Sequence, residues 1–406
     1  MAETSVNEAL ASSGGRNQLR LVGVAGANRV MAGELSRLVR RAHDDVRVPE
    51  PKKEGPGAIS YPFDPKMAST AVQFHRTSAR VLWELYRFPI SRLEELYKRL
   101  CLALEADPRQ WFWSGATLSV RAFSVQGFPA GERQVVGTVK NAIIETAARA
   151  GIELSVEPET PDLNVDVRVV DEALSIALDL AGQPMHQRGY REVAGPAPLR
   201  EDLAAMLVML ARYDSRSEVL LDPMAGSGTI GIEAALMGLG KPIWCQGRVP
   251  SCSGWRETAI SLAPVDSVLF PGTQPLVILN EGEAQLVQSA NHNAKLAGVS
   301  ECIEFLTGDF SQVTPELVAK VAAKRGADPR GGVILCNPPY GERLGNKESV
   351  RPLYRELGRW CRTFRGWRAG FLVSHENFEF DFGARARLKK PLKNGPLDAM
   401  FYLFDL

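Results

Sequence analysis

Between Val219 and Leu236 the chain reads VLLDPMAGSGTIGIEAAL. A branched apolar run ends in an acid, a glycine-rich turn follows, and an Ala/Ile/Leu segment of helical character comes next. Gly226, Gly228 and Gly231 satisfy the G-x-G-x-x-G spacing. In that spacing one glycine makes a tight bend, one lets backbone approach a ligand, and one lets the helix pack closely on a strand. The motif alone does not say which ligand; its neighbours have to decide.

From Glu218 onward the pattern repeats. VLL and the Gly-turn helix are followed by PLVILN, GEAQLVQSANHNAKLAG, IEFLTGD, GGVILCNPPYG, VRPLYRELGRWCRTF, RAGFLVS and MFYLFDL. Apolar, β-branched strands alternating with amphipathic helices predict a mostly parallel, doubly wound α/β sheet. The last two strands lie close together and suit an antiparallel hairpin.

The earlier part of the chain reads differently. MAETSVNEALASSGGRNQ has no apolar core of the signal-peptide kind and is expected to be a flexible tail over 1–18. VPEPKKEGPG (48–57) reads as a loop. STAVQFHRTSARVLWELYRF, from Ser69, carries apolar residues at helical spacing. In ISRLEELYKRLCLAL, Leu93, Leu96, Tyr97, Leu100 and Leu104 share a helix face. TLSVRAFSV is a strand and RQVVGTVKNAIIETAARAG a helix. NVDVRVVDEALSIALDLAG forms a hairpin across Asp171-Glu172, burying Val165, Val167 and Val169 with Ile176, Leu178 and Leu180. These elements predict a separate α+β region over 19–185. A linker and helix over 186–217, broken by Gly-Pro-Ala-Pro, joins it to the sheet of 218–406.

Bulk properties narrow the class. With 48 Lys and Arg against 47 Asp and Glu the chain is no polycation, so any nucleic-acid contact has to come from local patches. No apolar run approaches the ~20 residues needed to span a bilayer, so no membrane partner is expected. The six cysteines form no CxxC pair and do not cluster with the five histidines. No metal site is expected, and reduced thiols point to the cytoplasm.

A dinucleotide site would need an acid about 20 residues past the glycines. KPIWCQGRVPSCSGW stands there instead, neither strand-like nor acidic. Four strand tips do line up in chain order: Asp222, followed by Pro223 and the glycines; Glu281, with Glu283 two residues on; Asp309, followed by Phe310; and Asn337 to Tyr340. Ligands of doubly wound sheets bind outside the carboxyl ends of the strands. Glu281 can accept from both hydroxyls of a ribose. Asp309 can accept from an adenine amino group, with Phe310 packed on its ring. Gly226 and Gly228 let backbone approach the rest of the ligand.

DPMAGSGTIGIEAAL, NHNAKLAGV and NPPYGERLG resemble the class I S-adenosylmethionine-dependent methyltransferases. More narrowly, HQRGYREVAGPAPLREDLAA and KNGPLDAM resemble the THUMP-domain guanine-N2 RNA methyltransferases, from about Thr70 to the end. The resemblance implies a Rossmann-like catalytic domain, a THUMP domain at about 115–185, S-adenosylmethionine as cofactor and RNA as partner. It implies cofactor contacts from Asp222, Pro223, Gly226, Gly228, Glu281, Asp309, Phe310 and Asn337. Three departures stand out: Ala225 replaces a frequent cysteine, Asn280-Glu281-Gly282-Glu283 carries glutamates where the family has aspartates, and VAGANRVMAGELSRL lacks the Gly-Leu-Glu start.

The amine of guanine is a poor nucleophile, its lone pair being delocalised into the ring. Acceptors aimed at its two N–H bonds would position it and favour a pyramidal nitrogen. The side-chain oxygen of Asn337 and the carbonyl of Pro338 are the candidates. Pro338 and Pro339 stiffen the backbone, and Tyr340 offers a face on which an extracted base can stack.

For RNA the candidates are Arg121, Arg133 and Lys140 in the first region, Arg188 and Arg191 in the linker, and Arg385, Arg387, Lys389, Lys390 and Lys393 in ARARLKKPLKNG. The linker and KNGPLD favour 23S ribosomal RNA as substrate, with transfer RNA the alternative. Adenine-N6 methyltransferases also use Asn-Pro-Pro-Tyr, but the THUMP-like half argues against them. An NAD-dependent oxidoreductase lacks its acid. A non-catalytic RNA-binding or assembly protein is the alternative of another class, against which Asn337 and Tyr340 speak.

Overall fold

The computed structural model describes residues 15–105, 112–125, 127–170, 172–193, 199–255, 268–327, 329–340 and 347–406. The first half builds an eight-stranded sheet from β1 (Gly15–Gly23), β2 (Lys52–Gly55), β3 (Ala58–Pro62), β4 (Ser78–Pro89), β5 (Ala116–Val125), β6 (Leu154–Val156), β7 (Leu163–Val170) and β8 (Ala173–Asp179). Their order is β2-β3-β1-β4-β8-β7-β5-β6. Its helices are α1 (Asn28–Ala42), α2 (Pro65–Phe74), α3 (Leu93–Glu105) and α4 (Glu132–Arg149).

The hairpin forms as its alternation requires. β7 and β8 are antiparallel, with Val165 opposite Leu178 and Val167 opposite Ile176, and all four are at most 3% exposed. Glu172 sits in the turn at φ 58°; Asp171 lies outside the described residues. The opposite sheet face buries charges in pairs. Arg20 lies 3.5 Å from Glu84, Arg168 3.1 Å from Asp166, and Arg80 bonds Asp179.

Three readings of the first half change. The tail expected over 1–18 already enters β1 at Gly15; residues 1–14 lie outside the described residues. Within 48–57, Lys52–Gly55 is an edge strand paired only with β3, and exposed lysines suit an edge that must not pair further. The helical reading from Ser69 holds only through Phe74. Beyond it, SARVLWELYRFP is β4, hydrogen-bonded to β1 on one side and β8 on the other. Arg80, Glu84 and Arg87 stand among its apolar residues, and a register shift against β8 between Glu84 and Tyr86 interrupts the alternation, so the run shows no clean period of two.

The second half contains β9 (Glu218–Asp222), β10 (Leu276–Glu281), β11 (Ile303–Thr307), β12 (Gly331–Cys336), β13 (Arg368–Val373), β14 (Leu388–Asn394) and β15 (Leu397–Asp405). They form one sheet in the order β11-β10-β9-β12-β13-β15-β14. β9 to β13 are parallel, and β15 is antiparallel to both β13 and β14. The order reverses at β9, which has β10 on one side and β12 on the other. This is a doubly wound, Rossmann-like sheet. β14 is an addition: the basic run LKKPLKN is itself the edge strand, where Lys389, Lys390 and Pro391 are tolerated because one side is unpaired.

Helices α5 (Glu201–Leu210), α6 (Thr229–Gly238), α7 (Ala284–Leu296), α8 (Pro315–Lys324), α9 (Arg351–Cys361) and α10 (Phe378–Phe382) flank this sheet. One apolar cluster runs without a break from the first sheet through α5 and α6 onto the second. A second cluster, rich in Phe and Trp, fills the space beneath α8, α9 and α10. At the seam between the halves, Glu233 of α6 is fully buried. It accepts from Arg76 (3.3 Å), Arg188 (3.3 Å) and the Tyr190 hydroxyl (3.2 Å). All six cysteines are free thiols, and only Cys302 is not buried. No helix among the described residues is long and apolar enough to cross a membrane.

Candidate active site

The Gly turn opens at the carboxyl end of β9. Asp222 is 1% exposed and accepts from the Met224 N–H at 3.2 Å. Burial, reinforced by the nearby charge of Glu281, pushes its pKa up to about 8. Gly226 has φ 55°, and a side chain there would point into open space. It is a backbone position that favours glycine, and without a side chain the backbone there stays open to a ligand. Gly231 does a different job: a Cβ would lie 2.5 Å from Leu279, so its absence seats α6 on β10.

The second tip is tied to the first. Glu281 accepts from the Gly226 N–H at 2.8 Å with one carboxylate oxygen, and from Gly282 (2.8 Å) and Glu283 (3.3 Å) with the other. A carboxylate has about four acceptor positions, so Glu281 holds the turn and keeps about one position for a ligand. This corrects the expectation that both hydroxyls of a ribose could bind it as it stands. The neighbouring Asn280 is 2% exposed and donates to the carbonyls of Pro223 (3.1 Å) and Gly308 (3.0 Å). Three tips are thereby stitched together.

At the third tip Asp309 is exposed, and hydrogen bonding from the Ser311 hydroxyl and, at 2.8 Å, from its N–H lowers its pKa. Phe310 departs from expectation. It is 7% exposed, and its ring packs edge-to-face on Trp360 with centroids 5.4 Å apart. It belongs to the core below the tip, not to a base-stacking face, because the backbone turns inward immediately after Asp309.

At the fourth tip Asn337 follows Cys336, whose buried thiol lies against the Asp222 carboxyl. The Asn337 side-chain oxygen accepts from the Tyr340 hydroxyl, and that hydroxyl accepts from the Asn394 amide at 3.3 Å. Pro338 is buried and Pro339 exposed. The Tyr354 hydroxyl donates to the Pro339 carbonyl at 2.9 Å. The Tyr340 ring is half-buried against the Phe- and Trp-rich core. Gly341 to Gly345, the continuation of the motif, lie outside the described residues.

The basic candidates divide. Arg188 is wholly buried, bonded to Glu233 and, at 2.7 Å, to the Arg76 carbonyl. The Arg191 side chain is 15% exposed, 3.3 Å from Glu201 and 3.1 Å from the Thr229 hydroxyl. Neither can be a phosphate ligand: both are fasteners of the linker. Arg121, Arg385, Arg387, Lys389 and Lys393 are exposed. Arg387 pairs with Asp405 (3.2 Å), Lys393 with Asp398 (3.3 Å), and Lys389 with Glu379.

Sequence reasoning assigned no role to three residues. Asn293, in NHNAKLAGV, is 0% exposed and donates to Val193 (2.9 Å) and Ser227 (3.2 Å), fastening the linker to the Gly turn. Its place in a quoted motif was the available signal. Glu233 sits in the Gly-turn helix as a charge among apolar residues, which was also readable. Asn394 gave no signal beyond its turn. Among the described residues no three His, Cys, Asp or Glu side chains gather as a metal site.

Solved structures share this architecture over nearly the whole chain. A chain from Clostridium difficile 630 described as a possible methylase is 28% identical, with TM-score 0.79, covering 96% of this chain and 98% of that one. The SAH complex of SMU.472 is 23% identical, with TM-score 0.78 and coverage of 97% and 98%. TrmN from Thermus thermophilus is 20% identical, with TM-score 0.66 and coverage of 96% and 99%. The last two share the fold. Residues 188–402, which hold the Gly turn, all four strand tips and most of the terminal hairpin, match the RMKL-like methyltransferase domain, and the chain belongs to that family.

Proposed function

We propose that this chain uses S-adenosylmethionine to methylate the exocyclic N2 of a guanosine in RNA, with 23S ribosomal RNA as the substrate that its linker and KNGPLD segment favour. The observation that carries the reading is the arrangement of the four tips. Asn337 stands beside the strand that bears Asp222, in one row with Gly226 and Glu281, and hydrogen bonds join the first three tips. SMU.472, of the same fold, binds SAH.

The residues suit an adenosyl sulfonium ligand. Gly226 leaves open space over its backbone. Glu281 has an acceptor position left for one hydroxyl, and the exposed Glu283 lies two residues on. Asp309 is exposed at the third tip and suits an amino group. Bound there, S-adenosylmethionine would supply an already electrophilic methyl group, so no covalent intermediate with the protein is required.

The remaining work is done on the amine. The Asn337 oxygen has two lone pairs; Tyr340 takes one and the other suits an amine N–H. The Pro338 carbonyl would take the second N–H. Held so, the nitrogen lone pair is turned from the ring toward the methyl donor, and orientation and electrostatics together lower the barrier. Grip on the RNA falls to a THUMP domain at about 115–185 and to Arg121, Arg385, Arg387, Lys389 and Lys393. Phosphates would replace surface ion pairs worth about 0–1 kcal/mol each.

The test is incubation of the protein with methyl-labelled S-adenosylmethionine and unmodified total RNA, followed by digestion to nucleosides. Label is expected in N2-methylguanosine, in RNA of large-subunit size, and absent with Asn337→Ala. Label in transfer RNA would change the substrate; label in N6-methyladenosine would overturn the guanine reading. Cofactor binding without label would favour a non-catalytic assembly protein.

A further inference from the structure

We infer that Asn394, in the turn of the terminal hairpin, is a positioning residue that sets the orientation of the Asn337 amide through the Tyr340 hydroxyl. The inference rests on the reading of Asn337 as the group that meets the substrate amine. Its basis is a directed chain: the Asn394 amide donates to the Tyr340 oxygen at 3.3 Å, and the Tyr340 hydroxyl donates to the side-chain oxygen of Asn337.

The direction matters. A hydroxyl hydrogen rotates to whichever acceptor is offered. With an N–H of Asn394 on its oxygen, the Tyr340 hydroxyl has to point its own hydrogen elsewhere, and Asn337 lies there. An amide has two nearly isosteric ends, and only its oxygen can receive an amine hydrogen. The Tyr340 hydrogen selects the oxygen, so Asn394 fixes the rotor and the rotor fixes the amide. Each link also polarises the next.

The hairpin is held so that the chain can act. Asn394 faces Leu397 across the turn, and Leu392, two residues before it, is 3% exposed in the core shared with the first half. The Pro391 carbonyl abuts the loop after β1: a Cβ on Gly26 would lie 3.1 Å from it. The amino-terminal half therefore supports the turn from which Asn394 reaches the site.

Three variants test this, with methyl transfer from labelled S-adenosylmethionine to unmodified total RNA as readout. Asn394→Ala is expected to slow transfer about tenfold, with the KM for S-adenosylmethionine unchanged. Asn394→Asp, closer in shape but able only to accept, should draw the Tyr340 hydrogen away from Asn337 and slow transfer about a hundredfold. A residue that merely shaped the turn would give the reverse order. In a Tyr340→Phe background both substitutions should have no further effect. Asp milder than Ala, or undiminished effects in the Phe background, would overturn the inference. The order of rates is read on whichever nucleoside is labelled, so a failed guanine reading is seen separately as a different product. A crystal structure of Asn394→Asp gives a second readout: the Tyr340 hydroxyl is expected on the new carboxylate, and an intact bond to Asn337 would refute the inference.

Discussion

The two sheets bury their strands by opposite means. In the seven-stranded sheet, Val219 to Leu221, Val333 to Cys336 and Ala369 to Val373 are all buried, apolar on both faces. Polar groups are pushed to the ends, where Asp222, Glu281 and Asn337 stand. In the eight-stranded sheet one face is apolar and the other buries Arg20, Glu84, Asp166 and Asp179 along the strands. A charge at a strand end of the first kind of sheet is therefore informative about ligands. A charge within the second kind is usually a partner for another charge.

Substitutions can break this contrast at the seam where the sheets meet. Glu233→Ala leaves Arg76 and Arg188 buried without their carboxylate, and should cost about 3–5 kcal/mol of stability in denaturant titrations. A loss under 1 kcal/mol would mean that water or rearrangement reaches the seam. Next in size is the strand end. Asn337→Ala should lower methyl transfer about 100- to 1000-fold while leaving the melting temperature within a few degrees. Equal losses of stability and rate would make Asn337 a packing residue.

Asp222 sharpens the contrast, since it is an acid kept inside the apolar sheet. Its carboxyl is raised to about 8 in the folded chain, against about 3.9 when unfolded. Between those values the unfolded chain releases a proton that the folded chain keeps. Stability from this group is full below pH ~4, falls by about 1.4 kcal/mol per pH unit as pH rises, and is flat above ~8. Asp222→Asn should remove that slope. Parallel pH–stability curves for the two proteins would contradict the assignment. The smallest effect is expected at the edge: Arg385→Ala should weaken RNA binding modestly and reduce the log–log salt slope by about 1. An unchanged slope would exclude Arg385 from phosphate contact.

The row of strand tips was readable because each tip follows a short apolar run directly, so order along the chain matches order across the sheet edge. β4 was not, since a register shift between Glu84 and Tyr86 interrupts the alternation that marks a strand. β14 was hidden by its lysines, which signal solvent and mark an edge strand equally well. Arg188 and Asn394 escaped for a different reason. Their partners Glu233 and Tyr340 lie 45 and 54 residues away, and no local pattern records such a pairing. The inward turn of Phe310 depends likewise on Trp360.

The distribution of thiols has a practical use. Cys302 lies just before β11, at the end of the parallel strands opposite the tips, and is the one cysteine not buried. Burial also raises its pKa, so alkylation will be slow but confined to one position under native conditions. A fluorophore attached there would leave the strand tips untouched, and no engineered cysteine would be needed.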